Sequence, residues 1–182
     1  MSVSQRNTKL EAELRAMLGK KFPGVEISFG PSDRWKRNCV TFRWKGFADL
    51  LPEERFQRLA TEISEEFREA KMKGCVWLEL APDETVDQFL KLPRSEDVAG
   101  REPRVAAELE RVEFFAAMKK AMGANPKKKC GGDFSLSMRI LDDKKLSTTM
   151  ARDAKLLFIR HGAYCDCQVL ESVAAELAYH DA

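Results

Sequence analysis

The chain has 182 residues, 44% of them hydrophobic and 33% charged, enough for one compact domain or two small ones with a modest core each. Lysine and arginine total 31 against 29 for aspartate and glutamate, and a net charge of +2 is too small to attract nucleic acid by the whole molecule, so any such contact must rest on local clustering. The opening MSVSQRNTKLEAEL lacks the apolar centre of a signal peptide and no later stretch is apolar for the length a bilayer requires, so a cytoplasmic protein without a membrane partner is expected. Thr8-Lys9-Leu10-Glu11 has capping-box spacing, and Leu10, Leu14, Met17 and Leu18 recur on one face of a helix ending at Phe22-Pro23-Gly24. Val25, Ile27 and Phe29 alternate with polar residues as a strand does, and Gly30-Pro31-Ser32-Asp33 supplies a turn. After Arg34-Trp35-Lys36-Arg37-Asn38 a second strand follows, with Val40, Phe42 and Trp44 on a buried face and Cys39, Thr41 and Arg43 on a wet one.

Pro52-Glu53-Glu54 opens a helix, with proline tolerated in the first turn and the acids favoured by the positive end of the dipole. Phe56, Leu59, Ile63 and Phe67 mark the apolar stripe of one long amphipathic helix, closed by Gly74. Val76, Leu78 and Leu80 alternate with Trp77 and Glu79 in a third strand, and Pro82-Asp83-Glu84 leads into a short helix with Val86, Phe89 and Leu90. Residues 93–104 are charge, proline and glycine with Val98 as the one large apolar side chain, the composition of an exposed linker. Val105, Leu109, Val112, Phe115, Met118 and Met122 then predict another helix, stopped at Gly123-Ala124-Asn125-Pro126. Lys127-Lys128-Lys129-Cys130-Gly131-Gly132 reads as a basic loop. Phe134 to Ile140 fits either a strand or the start of a helix. Leu146 to Arg160 is a helix capped by Gly162 in the left-handed conformation, and Tyr164 to Val173 is expected to be a strand giving way to a helical, alanine-rich end.

These elements predict an α+β protein. A three-stranded sheet with helices on one face, in the order α-β-β-α-β-α, occupies residues 1–92; a linker spans 93–104; a small, mostly helical domain with a Cys-Asp-Cys turn occupies 105–182.

The first region resembles the BolA-like fold, itself close to the type II KH arrangement. The resemblance lies in the element order, in Phe42-Arg43-Trp44-Lys45-Gly46-Phe47 leaving the second strand, and in Val76-Trp77-Leu78-Glu79-Leu80-Ala81-Pro82-Asp83-Glu84 running from the third strand into a turn. It implies nucleic-acid binding through a G-x-x-G loop for KH domains, or an iron–sulfur cluster shared with a glutaredoxin through a helix histidine for BolA proteins. Neither motif is present, and the matching part of the helix reads Arg55-Phe56-Gln57-Arg58. The last region, about Phe114 to Val173, resembles an uncharacterised bacterial family recognised by a cysteine, a helix and a terminal G-G-x-C-D-C-E-V-L. The matching residues are Cys130, Gly162, Tyr164, Cys165, Asp166, Cys167, Val169 and Leu170, with Ala163 and Gln168 differing. That family implies no activity.

Five cysteines, at 39, 75, 130, 165 and 167, do not form the even framework of a secreted disulfide scaffold. Cys130, Cys165 and Cys167, with His161 or Asp166 as a fourth ligand, are the residue types that suit zinc. In an extended C-x-C the side chains point to opposite faces, so the set needs a turn at Asp166; without one, the thiols are one buried and one exposed cysteine, or a redox pair. Arg34, Trp35, Lys36, Arg37, Arg43 and Lys45, with Lys71 and Lys73, are candidates for contacting phosphates and stacking a base, or else form a solvated face. No catalytic set is evident: the two histidines are His161 and His180, and adjacent acids such as Glu53-Glu54 do not face each other on a helix. The expectation is a non-enzymatic cytoplasmic binding or adaptor protein whose partner is a protein or an RNA. The alternative is a thiol- or metal-dependent redox or sensor protein acting through Cys130, Cys165 and Cys167, with zinc as the cofactor.

Overall fold

The computed structural model describes residues 3–180, and the side chains of residues 7–177. Two compact units divide between Leu92 and Pro93. Among the described residues, no helix is long and apolar enough to cross a membrane. The class is α+β, a three-stranded mixed sheet with helices followed by a helical region.

In the first unit, α1 (Val3–Leu18) precedes β1 (Glu26–Ser32) and β2 (Arg37–Arg43), which pair antiparallel with Ile27 opposite Phe42 and Phe29 opposite Val40. The helix begins earlier than the Thr8 spacing suggests. Strand β3 (Val76–Leu80) lies parallel to β2, so the sheet order is β1-β2-β3. Leu10, Leu14 and Leu18 join Phe22, Ile27, Val40, Phe42, Phe47, Leu59 and Ile63 in one dry cluster on one face of the sheet. The opposite face, expected to be wet, is partly dry as well. Phe89 of α4 (Val86–Phe89) closes over Cys39, Leu78 and Leu80, and Trp35 packs at the edge of that second cluster. Thr85 and Gln88 form the reciprocal cap that starts α4: Gln88 N donates to Thr85 Oγ1 at 3.2 Å and Thr85 N to Gln88 Oε1 at 2.8 Å.

The long helix is two. Helix α2 (Pro52–Glu62) stops as Ile63 turns extended, and Ser64 Oγ accepts from Phe67 N at 3.2 Å to begin α3 (Glu65–Lys71). Ser64-Glu65-Glu66 is itself a helix start, and the break keeps Ile63 fully buried. Leu59 and Ile63 of the predicted stripe are fully buried, but its first position is not. Phe56 is 41% exposed, while Arg55 is 1% exposed. The Arg55 guanidinium pairs with Glu84, donates to Glu79 O at 2.7 Å and Leu50 O at 2.9 Å, and lies 5.6 Å from the Phe89 ring. Arg43 donates to the carbonyls of Ala81, Pro82 and Glu84, so two guanidiniums hold the turn after β3.

Residues 93–104, expected as an exposed linker, are folded into the second unit. A 3-10 turn runs Ser95–Arg101 and leads into α5 (Glu102–Arg111). Val98 is fully buried, and Arg101 makes a two-pronged pair with Asp153 at 2.9 and 3.0 Å. The charges that suggested solvent are therefore partners for α9 (Thr148–Arg160), whose Arg160 also meets Glu96 and Glu102. The next predicted helix is broken by Glu113 at φ 53°, which separates α5 from α6 (Phe114–Met122) and turns Phe114 rather than Phe115 into the core. The lysine run forms one short turn, α7 (Pro126–Lys129), and residues Phe134 to Ile140 resolve as helix, α8 (Ser135–Asp143). Around α9 the core stacks Phe158 on Phe114 at 5.4 Å and beside Phe134 at 6.1 Å. Gly162, at φ 76°, ends α9: Gly162 N bonds Ile159 O and Ala163 N bonds Phe158 O, the paired bonds of a Schellman cap. The expected strand after Tyr164 is absent. α10 (Asp166–Gln168) continues through a π turn at Val169–Val173 into α11 (Ala174–His180), because Asp166 is held at a helix start rather than in a strand.

Removing one partner from the buried pair leaves Glu84 uncompensated and two carbonyls unmet. Arg55→Ala is expected to lower stability by about 3–5 kcal/mol, and Arg34→Ala, which breaks an exposed pair with Asp87, by less than about 1 kcal/mol. Urea unfolding followed by tryptophan fluorescence reads both; equal effects would contradict the assignment.

Candidate metal centre

The three sulfurs meet because two chain segments are clasped together. The first runs from Cys130 through Gly131 and Gly132, which turns at φ 80°, to Asp133 and the start of α8. The second is Tyr164 to Gln168. Asp166 N donates to Asp133 O at 2.9 Å. In return, the Asp166 carboxylate, 3% exposed, accepts from Leu136 N at 3.0 Å, Ser137 N at 2.8 Å and Ser137 Oγ at 2.6 Å. The carboxylate thus satisfies N–H groups in the first turn of α8 that have no partner within the helix.

That clasp sets the geometry of the C-x-C pair. Cys165 is extended at φ −161° and the chain turns helical at Asp166, so the thiols of Cys165 and Cys167 fall on one side, with their sulfurs 3.4 Å apart. Cys130 completes the set: the three sulfurs all lie within 4.8 Å of one another. Gly132 N donates to Cys130 Sγ at 3.4 Å. Gln168 Oε1, a contact that the sequence pattern did not reveal, accepts from Tyr164 N at 2.8 Å and from Cys165 Sγ at 3.5 Å. Cys130 and Cys165 are half-buried and Cys167 is buried.

Burial is the largest influence on each of these thiols and pushes each up. At Cys130 it is outweighed by the backbone N–H groups of Cys167 and Gly132 and by the thiols of Cys167 and Cys165, which together hold it below the ordinary thiol value. At Cys165 burial prevails, helped by the neighbouring Cys130 sulfur, and the thiol is raised. Cys167 is pushed up to about 12 by burial and by donating to the other two sulfurs.

The proposed fourth ligands are elsewhere. His161 caps α9, and its ring stands between two carboxylates, with Nε2 2.5 Å from Glu102 Oε1 and Nδ1 2.8 Å from Glu176 Oε2. Both nitrogens are engaged by carboxylates, and His161 is not in the group whose ligand atoms lie within 4.8 Å of one another. Asp166 is excluded by its hydrogen bonds to α8. The side chain of His180 lies outside the described residues. Cys39 packs between Leu78 and Phe89, and Cys75 lies against the first unit's main core, as ordinary apolar groups do.

The basic candidates of the first unit are divided. Arg34 pairs with Asp87 and lies 5.7 Å from the Trp35 ring, while Arg43 is committed to backbone carbonyls. Lys36, Arg37 and Lys45 are exposed, Lys36 at a left-handed turn position. Lys71 pairs with Glu13 and Lys73 with Glu69. Beside the β1–β2 turn, an open groove of about 520 Å³ is bordered by Trp35, Arg34, Thr41, Leu78 and Asp87.

In metal-free protein at about pH 8, iodoacetamide should alkylate Cys130 first, with a rate that rises at lower pH than for an ordinary thiol, while Cys165 and Cys167 respond only at higher pH. Peptide mapping against time and pH measures this, and equal rates at the three sites would refute it. Asp166→Ala should lower stability by about 1–3 kcal/mol by orphaning the α8 N–H groups and should expose Cys167 to thiol reagents, read by thermal unfolding and thiol counting. No family profile, curated protein or solved structure matches this chain.

Proposed function

We propose that the protein binds a thiophilic transition-metal ion, with zinc as the leading candidate, through Cys130, Cys165 and Cys167, and that it acts as a metal- or thiol-dependent sensor rather than an enzyme. The observation that carries this reading is the convergence of three sulfurs from two separate segments within 4.8 Å. Soft thiolates select zinc and copper(I) over hard cations, and three of them leave an ion one or more further positions. The half-buried mouth gives an ion a way in, and the Asp166 clasp holds the ligands on helix ends rather than on a mobile tail. Loading exchanges protons for metal, so metal occupancy follows pH as well as metal supply.

Cys165 and Cys167 are both raised, so both carry protons near neutrality and must lose them to the ion. Zinc affinity is therefore expected to rise at least about a hundredfold per pH unit between about pH 6 and 8, with at least two protons released per ion. Calorimetry in buffers of different ionisation enthalpy measures that number. Replacing Cys130, Cys165 or Cys167 by Ser should weaken binding at least a hundredfold, and Cys75→Ser should not; indifference to all three replacements would sink the reading.

A second reading, contact with RNA as part of a binding or adaptor role, is favoured by the exposed cations Lys36 and Arg37 next to the Arg34–Trp35 contact at the hairpin tip. Its signature is affinity that falls with salt, with a slope of about −0.7 per phosphate contacted, and that weakens on combining Trp35→Ala with Arg37→Ala. Binding to single-stranded RNA that neither salt nor the double replacement changes would exclude this surface.

A further inference from the structure

We infer that the ion held by Cys130, Cys165 and Cys167 takes its fourth donor from outside the chain, and that this donor is a low-molecular-weight thiol bound as its thiolate. The inference rests on the metal-binding reading above and goes on to name the ligand of the same centre. A structural zinc set that already has three thiolates is closed by a fourth thiolate or an imidazole. Among the described residues, the candidates for that fourth place are otherwise engaged: His161 by Glu102 and Glu176, Asp166 by Leu136 and Ser137, and the Gln168 amide oxygen by Tyr164 N.

Two of the three sulfur-bearing residues, Cys130 and Cys165, are half-buried, so the centre is not sealed from solvent. Gly131 and Gly132 follow Cys130 directly; a Cβ placed on Gly132 would meet nothing within 4 Å, while one on Gly131 would meet the Asp133 carboxylate at 3.6 Å. A small molecule can reach the ion from the side on which these two cysteines meet solvent. Two features favour sulfur over a neutral nitrogen donor. An ion that has selected three thiolates is soft enough to prefer a fourth. Lys127 pairs with Glu171 and Lys129 donates to Ala121 O, which leaves Lys128, exposed in the turn before Cys130, as the cation whose charge offsets the extra negative charge of a bound thiolate. The exchange is balanced: a metal-bound water leaves, the incoming thiol loses its proton to solvent, and one metal–sulfur bond replaces one metal–oxygen bond. No electron changes hands.

The full chain, reduced with a phosphine and loaded with one cobalt(II) per chain, provides the test, since the visible bands of cobalt report its donor set. Titration with 2-mercaptoethanol or glutathione should shift and strengthen those bands saturably, and X-ray absorption should count three sulfurs before and four after. Failure to bind cobalt or zinc at all would overturn the metal-binding reading itself. Tight binding with bands that ignore added thiol would leave that reading intact and overturn this inference. So would one ion shared by two chains, in which a second copy supplies the donor, or bands of the thiol-free protein that change on His180→Ala, in which the chain supplies its own. The same thiol response in wild type and His180→Ala supports an external donor.

Discussion

The second unit's chemistry depends on one buried carboxylate. Asp166 sits between two cysteines, and an anion there would ordinarily be expected either to bind a cation or to repel the neighbouring thiolates. It does neither directly. Its oxygens accept two backbone N–H groups and a hydroxyl at the start of α8, while its own N–H reaches Asp133 O. The carboxylate is thereby held by hydrogen bonds to the positive end of a helix. Because those bonds tie the Cys165–Cys167 turn to the segment carrying Cys130, the same interaction that organises α8 also gathers the three sulfurs.

A comparable arrangement operates in the first unit, without any ligand. Arg55 is buried on the helix face that Leu59 shares, and Glu84, Glu79 O and Leu50 O receive its guanidinium. A buried charge of this kind is tolerated only when paired and hydrogen-bonded, and here the pairing also determines the path of the chain between β3 and α4. Arg43 reinforces the same turn from the neighbouring strand. In both units, then, a charged side chain satisfies backbone groups at the end of an element and sets the direction in which the chain continues.

The electrostatics of the sulfur cluster arise from its surroundings. Cys130 is the sulfur toward which the N–H groups of Cys167 and Gly132 point, and its thiol is held below the ordinary value, while burial raises Cys165 and Cys167. The carboxylates and cations around it, Glu171 with Lys127 and the two glutamates on His161, are paired with one another and do not enter the cluster.

Alternation and 3.6-residue spacing in the sequence were sufficient for the existence of the three strands, for α1, for α9 with its Gly162 cap, and for the α+β class, but not for the end of β1, which runs on through Gly30, Pro31 and Ser32 where a turn was expected. They also isolated Cys130, Cys165 and Cys167 as the residues worth testing together, since residue type alone restricts soft-metal chemistry. Tertiary structure decided the rest. Periodicity assigns hydrophobic stripes but cannot tell that Arg55 goes inside where Phe56 stays out, because the difference lies in a glutamate 29 positions away. Composition marked residues 93–104 as solvent-facing because their charges have no partner nearby in sequence; Asp153 and Arg160 supply those partners from α9. An extended C-x-C divides its sulfurs between two faces, and only the distant N–H groups of Leu136 and Ser137, by drawing Asp166 into a helical turn, bring them to one side. Local spacing is dictated by the covalent geometry of the chain, whereas the burial of charge and the convergence of ligands depend on partners that only folding brings within hydrogen-bonding distance.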